Sequence, residues 1–166
     1  MNRFRSDAFK GGDLMALLRQ HVPQDFDPDD FLIAGSARLW AGGMVEELSD
    51  LDILVRPGSR SWHRALELAF EHALSFGTAP LRTSDYTGDK IAQLYGGDIE
   101  VCETWVVPGS DTHALLAQAE VIDGLKYLPI GEVVAYKLVL NREKDFADLS
   151  AICGRPGRAL DVERLC

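Results

Sequence analysis

Short, nearly continuous apolar runs alternate along this chain with segments whose apolar residues recur every three or four positions. That is the pattern of strands and helices taken in turn. Phe31-Leu32-Ile33-Ala34 reads as a buried strand, and Leu51 to Val55 as a second one, entered through two carboxylates at Asp50 and Asp52. Upstream, residues 13–20 place Leu14, Leu17 and Leu18 on one side of a short helix that follows Gly11-Gly12. Residues 21–30 are rich in Pro and Asp and read as a loop. Downstream, Pro57-Gly58 makes a turn, and Ser59 or Ser61 caps a helix with an apolar stripe of Trp62, Leu66, Ala69, Phe70, Ala73 and Leu74. Gly77 ends that helix.

The second half continues the alternation. A strand is expected at 79–83, a turn at 85–90, and two strands at 91–95 and 99–107 that pair as a hairpin about Gly96-Gly97. A short helix follows at 112–120. Asp123-Gly124 then suits a type I′ turn between two short strands. Residues 130–140 read as a helix that is apolar on nearly every side apart from Glu132 and Lys137, with a second helix at 143–152, a turn at 154–157 and a last short helix. The expected fold class is α/β, a small mixed sheet with helices behind it. Residues 1–127 form its core, and residues 128–166 a helical unit packed on that core, one domain overall.

Composition narrows the setting. The chain has 166 residues, 46% hydrophobic and 26% charged, enough for one globular domain with a genuine core. No apolar run approaches the length of a membrane span, and the opening MNRFRSDAFKGGD is too polar for a secretory signal, so a cytoplasmic protein without membrane contact is expected. Cys102, Cys153 and Cys166 are scattered, as are the four histidines, and neither a disulfide framework nor structural zinc is suggested. The formal charge of -9 argues against long nucleic acid as a partner, because such binding draws on Lys and Arg neutralising phosphates. Basic residues are less outnumbered after Gly124, where Lys126, Lys137, Arg142 and Lys144 could line one wall of a cleft or simply be solvated.

Candidate chemistry centres on Asp50 and Asp52. Side chains alternate across a strand, so these two share one face while Leu51 and Ile53 point to the other. Close carboxylates repel unless a cation lies between them, and an oxygen-seeking divalent ion such as Mg²⁺ suits them. The competing reading is the exposed face of an edge strand, although Asp is disfavoured in strands. Gly35 allows a sharp bend after the first strand, and Ser36 adds a hydroxyl at a helix start, where free amides attract phosphate. On its own Gly-Ser is more often only a turn. Arg38, one turn further, reaches a phosphate or is an exposed helix arginine. Lys137, among Val133, Val134, Tyr136 and Leu138, must snorkel outward or meet an anion, and Asp145 and Asp148 are candidate partners. Arg142 and Lys144 read as surface charges.

Gly35-Ser36, followed fourteen positions later by Asp50-Leu51-Asp52-Ile53, resembles the signature of the polymerase-beta-like nucleotidyltransferase superfamily. Leu128-Pro129 through Lys137-Leu138 to Arg142-Glu143-Lys144-Asp145 is similar to the carboxy-terminal helices of small bacterial members, including the AbiEii-type toxins. The resemblance implies transfer of a nucleoside monophosphate from an NTP to a hydroxyl of a small molecule, protein or RNA, with release of pyrophosphate. It implies two Mg²⁺ ions on Asp50, Asp52 and a third carboxylate from a neighbouring strand, for which Glu100 is chosen and Asp98, on the same face, is the substitute. Gly35, Ser36, Arg38 and Lys137 then fall on the nucleotide side, Lys137 in a phosphate-side or acid-pairing role. A homodimer that completes the acceptor site is a further expectation. Two other readings compete: a catalytically inactive relative that binds a nucleotide or a protein, and a metal-dependent phosphoester hydrolase.

Overall fold

The computed structural model describes residues 11–153, so the turn expected at 154–157 and the helix after it lie outside the described residues. Within them the chain is α/β, with one seven-stranded mixed sheet and six α-helices. The strands are β1 (Phe31–Ala34), β2 (Leu51–Val55), β3 (Leu81–Thr83), β4 (Lys90–Leu94), β5 (Ile99–Cys102), β6 (Glu120–Ile122) and β7 (Leu125–Tyr127). The helices are α1 (Gly12–Arg19), α2 (Ala37–Ala41), α3 (Arg60–Phe76), α4 (Thr112–Ala117), α5 (Ile130–Leu140) and α6 (Glu143–Cys153).

Spatial order across the sheet is β3-β4-β5-β2-β1-β7-β6. The centre is the antiparallel pair β1 and β2, in which Ala34 lies opposite Asp52. On its other side β2 runs parallel to β5, with Asp52 opposite Glu100. Asp52 is therefore flanked on both sides by strands, a placement that removes its backbone from water. The 91–95 and 99–107 hairpin forms as β4 and β5, though β5 already ends at Cys102. Asp123 and Gly124 both take positive φ, 51° and 78°, as a type I′ turn requires.

Strand alternation sorts the core into two layers. Ile33, Leu51 and Ile53 face α1 and α3 and pack with Leu14, Leu18, Trp62, Ala65 and Ala69. Leu32, Ala34 and Leu54 face the other way, against Leu128 and against Leu115, Val133, Tyr136 and Ile152 of the later helices. Asp52 and Glu100 share the parity of Leu54 and so emerge on this second face.

One expected stripe shifts. In α3 the buried positions are Trp62, Ala65, Leu68 and Ala69, while Phe70 and Leu74 are 56% and 90% exposed. Ala65 and Ala69 present no bulk and allow the helix to lie close to the sheet, which turns the larger Phe70 and Leu74 outward. Ser59 is the cap, accepting from the Trp62 amide, while Ser61 is buried and accepts from the Asp27 amide. Cys102 is a free thiol and Cys153 is disulfide-bonded, a bond that the scattered spacing did not suggest. Among the described residues no helix is long and apolar enough to cross a membrane.

Because Leu54 ties the sheet to the later helices, Leu54→Ala is expected to cost about 2–5 kcal/mol of unfolding free energy, measured by urea denaturation.

Candidate functional site

The bend after β1 is forced by close approach. Gly35 takes φ +67°, and a Cβ placed there would lie 2.6 Å from Oδ2 of Asp52. Residue 35 thus needs a glycine twice over, once for its backbone and once for the carboxylate lodged against it. Ser36 follows and opens α2, a helix of only five residues. Its hydroxyl does not cap that helix. It accepts from Lys137 Nζ at 3.1 Å and donates to Asp148 Oδ2 at 3.2 Å.

Ser36, Asp50, Asp52 and Glu100 all line one cleft between the sheet and the α5–α6 end. Tyr136, Leu140, Arg142 and Lys144 line it from the α5–α6 segment, and Arg82, Ser84 and Tyr86 from β3 and the turn after it. About 110 Å³ of this space is open to water-sized occupants. At roughly 10–15 Å³ per water that admits a hydrated cation with phosphate groups. A whole nucleoside triphosphate, by comparison with the roughly 300 Å³ of ordinary ligand pockets, would extend out of the mouth.

The electrostatics of the cleft are acidic at depth and basic at the rim. Burial, then the neighbouring charges of Asp50 and Glu100, push the Asp52 carboxyl up from 3.8 to about 7, against the opposing pull of Lys144 and Arg82. Glu100 is held by Arg82 through a forked pair, Nε to Oε2 at 2.6 Å and Nη2 to Oε1 at 2.9 Å. That hydrogen bond also raises the pKa of the Arg82 guanidinium, which stays charged. Burial raises the Cys102 thiol well above its ordinary range and leaves it protonated at neutral pH.

Five of the residues singled out in the sequence therefore meet: Gly35, Ser36, Asp50, Asp52 and Glu100. Two do not reach the cleft. Arg38 turns toward the β6 edge and pairs with Glu120 at 2.6 Å. Lys137 is fully buried behind Ser36, donating to Asp145 at 3.3 Å and Asp148 at 2.8 Å, with its ammonium 4.8 Å from the Tyr136 ring. Burial works against its charge, but Tyr136 and Asp148 outweigh that and raise its pKa. Lys137 is thus an acid-pairing strut, and the two aspartates expected as its partners hold it. Asp98 is buried at the start of β5, where its carbonyl accepts from the Leu51 amide at 2.8 Å. It does not share the cleft with Glu100.

Sequence reading missed Arg82 as a cleft residue and left Arg142 and Lys144 between a cleft wall and the plain surface; all three line the cleft. Arg142 is clamped by Asp145, accepting three hydrogen bonds from its amide and guanidinium. Among the described residues the Lys144 ammonium makes no ion pair, yet it is near enough to act on Asp52. No signal in a three-residue strand shows that Arg82 crosses β4 to reach Glu100.

Asp50 and Asp52 offer the hard oxygen donors that Mg²⁺ prefers, and Asp52, raised first by burial, also feels the charges of Asp50 and Glu100. The fit is to these two aspartates. Among the described residues no group of three or more His, Cys, Asp or Glu side chains is placed to hold a metal, and Glu100 is engaged by Arg82. No family model, no curated protein and no solved structure matches this chain.

Gly35→Ala is expected to destabilise the fold by about 1–3 kcal/mol and to displace Asp52, read by urea denaturation. A second prediction concerns pH. A carboxyl raised from 3.8 to about 7 contributes stability that is fully present below its unfolded value and is lost as pH rises through 7. In chelator, the stability of Asp52→Asn relative to wild type should therefore grow between pH 4 and pH 8. A difference that stays constant over that range counts against the raised carboxyl.

Proposed function

We propose that the chain is a metal-dependent nucleotidyltransferase. The observation that carries this reading is the meeting of the Gly35 bend, Ser36, Asp50, Asp52 and Glu100 in one cleft, with Asp52 filling the space where a side chain on residue 35 would lie. A backbone bend that admits a close ligand beside paired carboxylates is the combination a metal-bound polyphosphate needs.

In this reading the acceptor hydroxyl oxygen bonds to the α-phosphorus of an NTP while the bond from that phosphorus to the bridging oxygen breaks and pyrophosphate leaves. The hydroxyl proton passes to a cleft carboxylate, assigned to Glu100. Asp50 and Asp52, joined by Glu100, would hold two Mg²⁺ ions, and these would supply charge neutralisation for the triphosphate and the leaving group. Gly35 leaves room for the Asp52 carboxylate. Ser36 is oriented by Lys137 and Asp148. Lys144 and Arg82 supply positive charge at the rim where the pyrophosphate would leave. The acceptor is a hydroxyl of a small molecule, a protein or an RNA, and the cytoplasm, where NTPs and Mg²⁺ are abundant, is the proposed setting.

One observation favours a second reading. Glu100 is already neutralised by Arg82, so the chain could hold a metal-bound nucleotide without activating an acceptor.

Incubation with Mg²⁺ and each α-labelled NTP, beside small hydroxylic acceptors, protein and RNA, separates the two. Label transfer with pyrophosphate release is expected from wild type, with a loss of at least about a hundredfold in Asp52→Ala, the scale of losing a major electrostatic stabiliser. Transfer that survives Asp52→Ala would overturn the mechanism, and nucleotide binding with no transfer would favour the second reading.

A further inference from the structure

Three cations, Arg82, Arg142 and Lys144, line the cleft, and they are not equivalent. Arg142 is locked to the buried Asp145 on its own helix turn. Lys144 acts on Asp52 from a distance. Arg82 alone makes its ion pair with one of the cleft carboxylates, and that carboxylate is the one the proposed chemistry needs free.

The register explains how they meet. Arg82 lies opposite Ile91 on β4, while Glu100 on β5 lies opposite Gln93. The guanidinium therefore crosses a whole strand diagonally to reach its partner. Its side chain is 44% exposed, against 14% for Glu100, and it stands on a three-residue strand at the sheet edge. Glu100 is built in; Arg82 arrives from the solvent side.

We infer that Arg82 is an exchangeable cap on Glu100. It neutralises the third carboxylate while the cleft holds no polyphosphate, and transfers its forked hydrogen bonds to phosphate oxygens when a metal-bound triphosphate enters. Glu100 is then left to share a divalent ion with Asp52, its register partner.

One physical point carries this. A guanidinium fork matches a carboxylate and a phosphate equally well, so the exchange replaces one paired contact with another and leaves no cation stranded. A bridge with only a structural purpose makes the opposite prediction, because removing Arg82 would leave Glu100 unpaired with no gain elsewhere.

The inference rests on the nucleotidyl-transfer reading for the identity of the anion, and its test does not need turnover. Mn²⁺ binding without nucleotide, followed by the electron paramagnetic resonance of the free ion, is measured for wild type, Arg82→Ala, Arg82→Lys and Arg82→Ala combined with Glu100→Gln. Arg82→Ala is expected to bind Mn²⁺ about tenfold more tightly, equivalent to about 1.4 kcal/mol, and the double variant to lose that gain. Inorganic tripolyphosphate with Mg²⁺, titrated by calorimetry, should bind Arg82→Ala about tenfold more weakly than wild type. Should Arg82→Ala fail to fold, Arg82→Lys gives the same comparison with a smaller gain, since one ammonium cannot span both Glu100 oxygens. Unchanged or weaker Mn²⁺ binding by a folded Arg82 variant overturns the cap, even where wild type transfers label. A gain in Mn²⁺ affinity with no label transfer to any acceptor supports the cap and overturns the reaction instead.

Discussion

Residue 35 and the Asp52 carboxylate claim the same volume, and only the absence of a side chain on Gly35 lets both be there. The rest of the site follows from that exclusion. With β1 bent away at Gly35, Ser36 is delivered to the end of α5, where Lys137 and Asp148 hold its hydroxyl. With Asp52 kept in the second strand, its opposite number on β5 is Glu100 by simple register. Three acidic side chains then crowd a cleft whose cations stand mostly at its rim.

The basic residues divide by what surrounds them. Lys137 is fully buried, and its ammonium is useful only to the groups that enclose it: Ser36, Asp145, Asp148 and the Tyr136 ring. Removing one member of such a buried network leaves another unpaired, which is why it acts as a rivet between α5, α6 and the Gly35 bend. Arg82 has the opposite character. Its guanidinium is half in water, so its hold on Glu100 is screened and open to competition. One cation fixes the geometry and the other is free to change partners.

The far face of the sheet contributes by fixing where β5 begins. Tyr95 sits at a positive φ of 53° just before β5, and its hydroxyl meets His21 Nε2 at 2.6 Å. His21 in turn bonds Asp25, which Arg64 of α3 also holds. This chain of polar contacts fastens the loop after α1 to the turn that launches the Glu100 strand. It explains how a loop read only as Pro- and Asp-rich helps to align a carboxylate on the other side of the sheet.

Much of this was legible in the residues alone, because local rules govern it. Strand parity put Asp50 and Asp52 on one side and Leu51 and Ile53 on the other, and Ile130–Leu140 announced itself as an apolar helix whose one lysine had to snorkel outward or meet an anion. Glycines marked the bend at 35, the helix end at 77 and the type I′ turn at 124, since those conformations exclude most other side chains. What depends on which elements lie side by side was not legible. Arg38 and Arg82 look alike in sequence, yet one pairs with Glu120 at the far sheet edge and the other crosses a strand to Glu100. An arginine's reach exceeds the spacing between strands, so its partner is decided by strand order and register. Those are settled only when the whole sheet assembles, and with them the choice of which acids share the cleft and which cation stands over them.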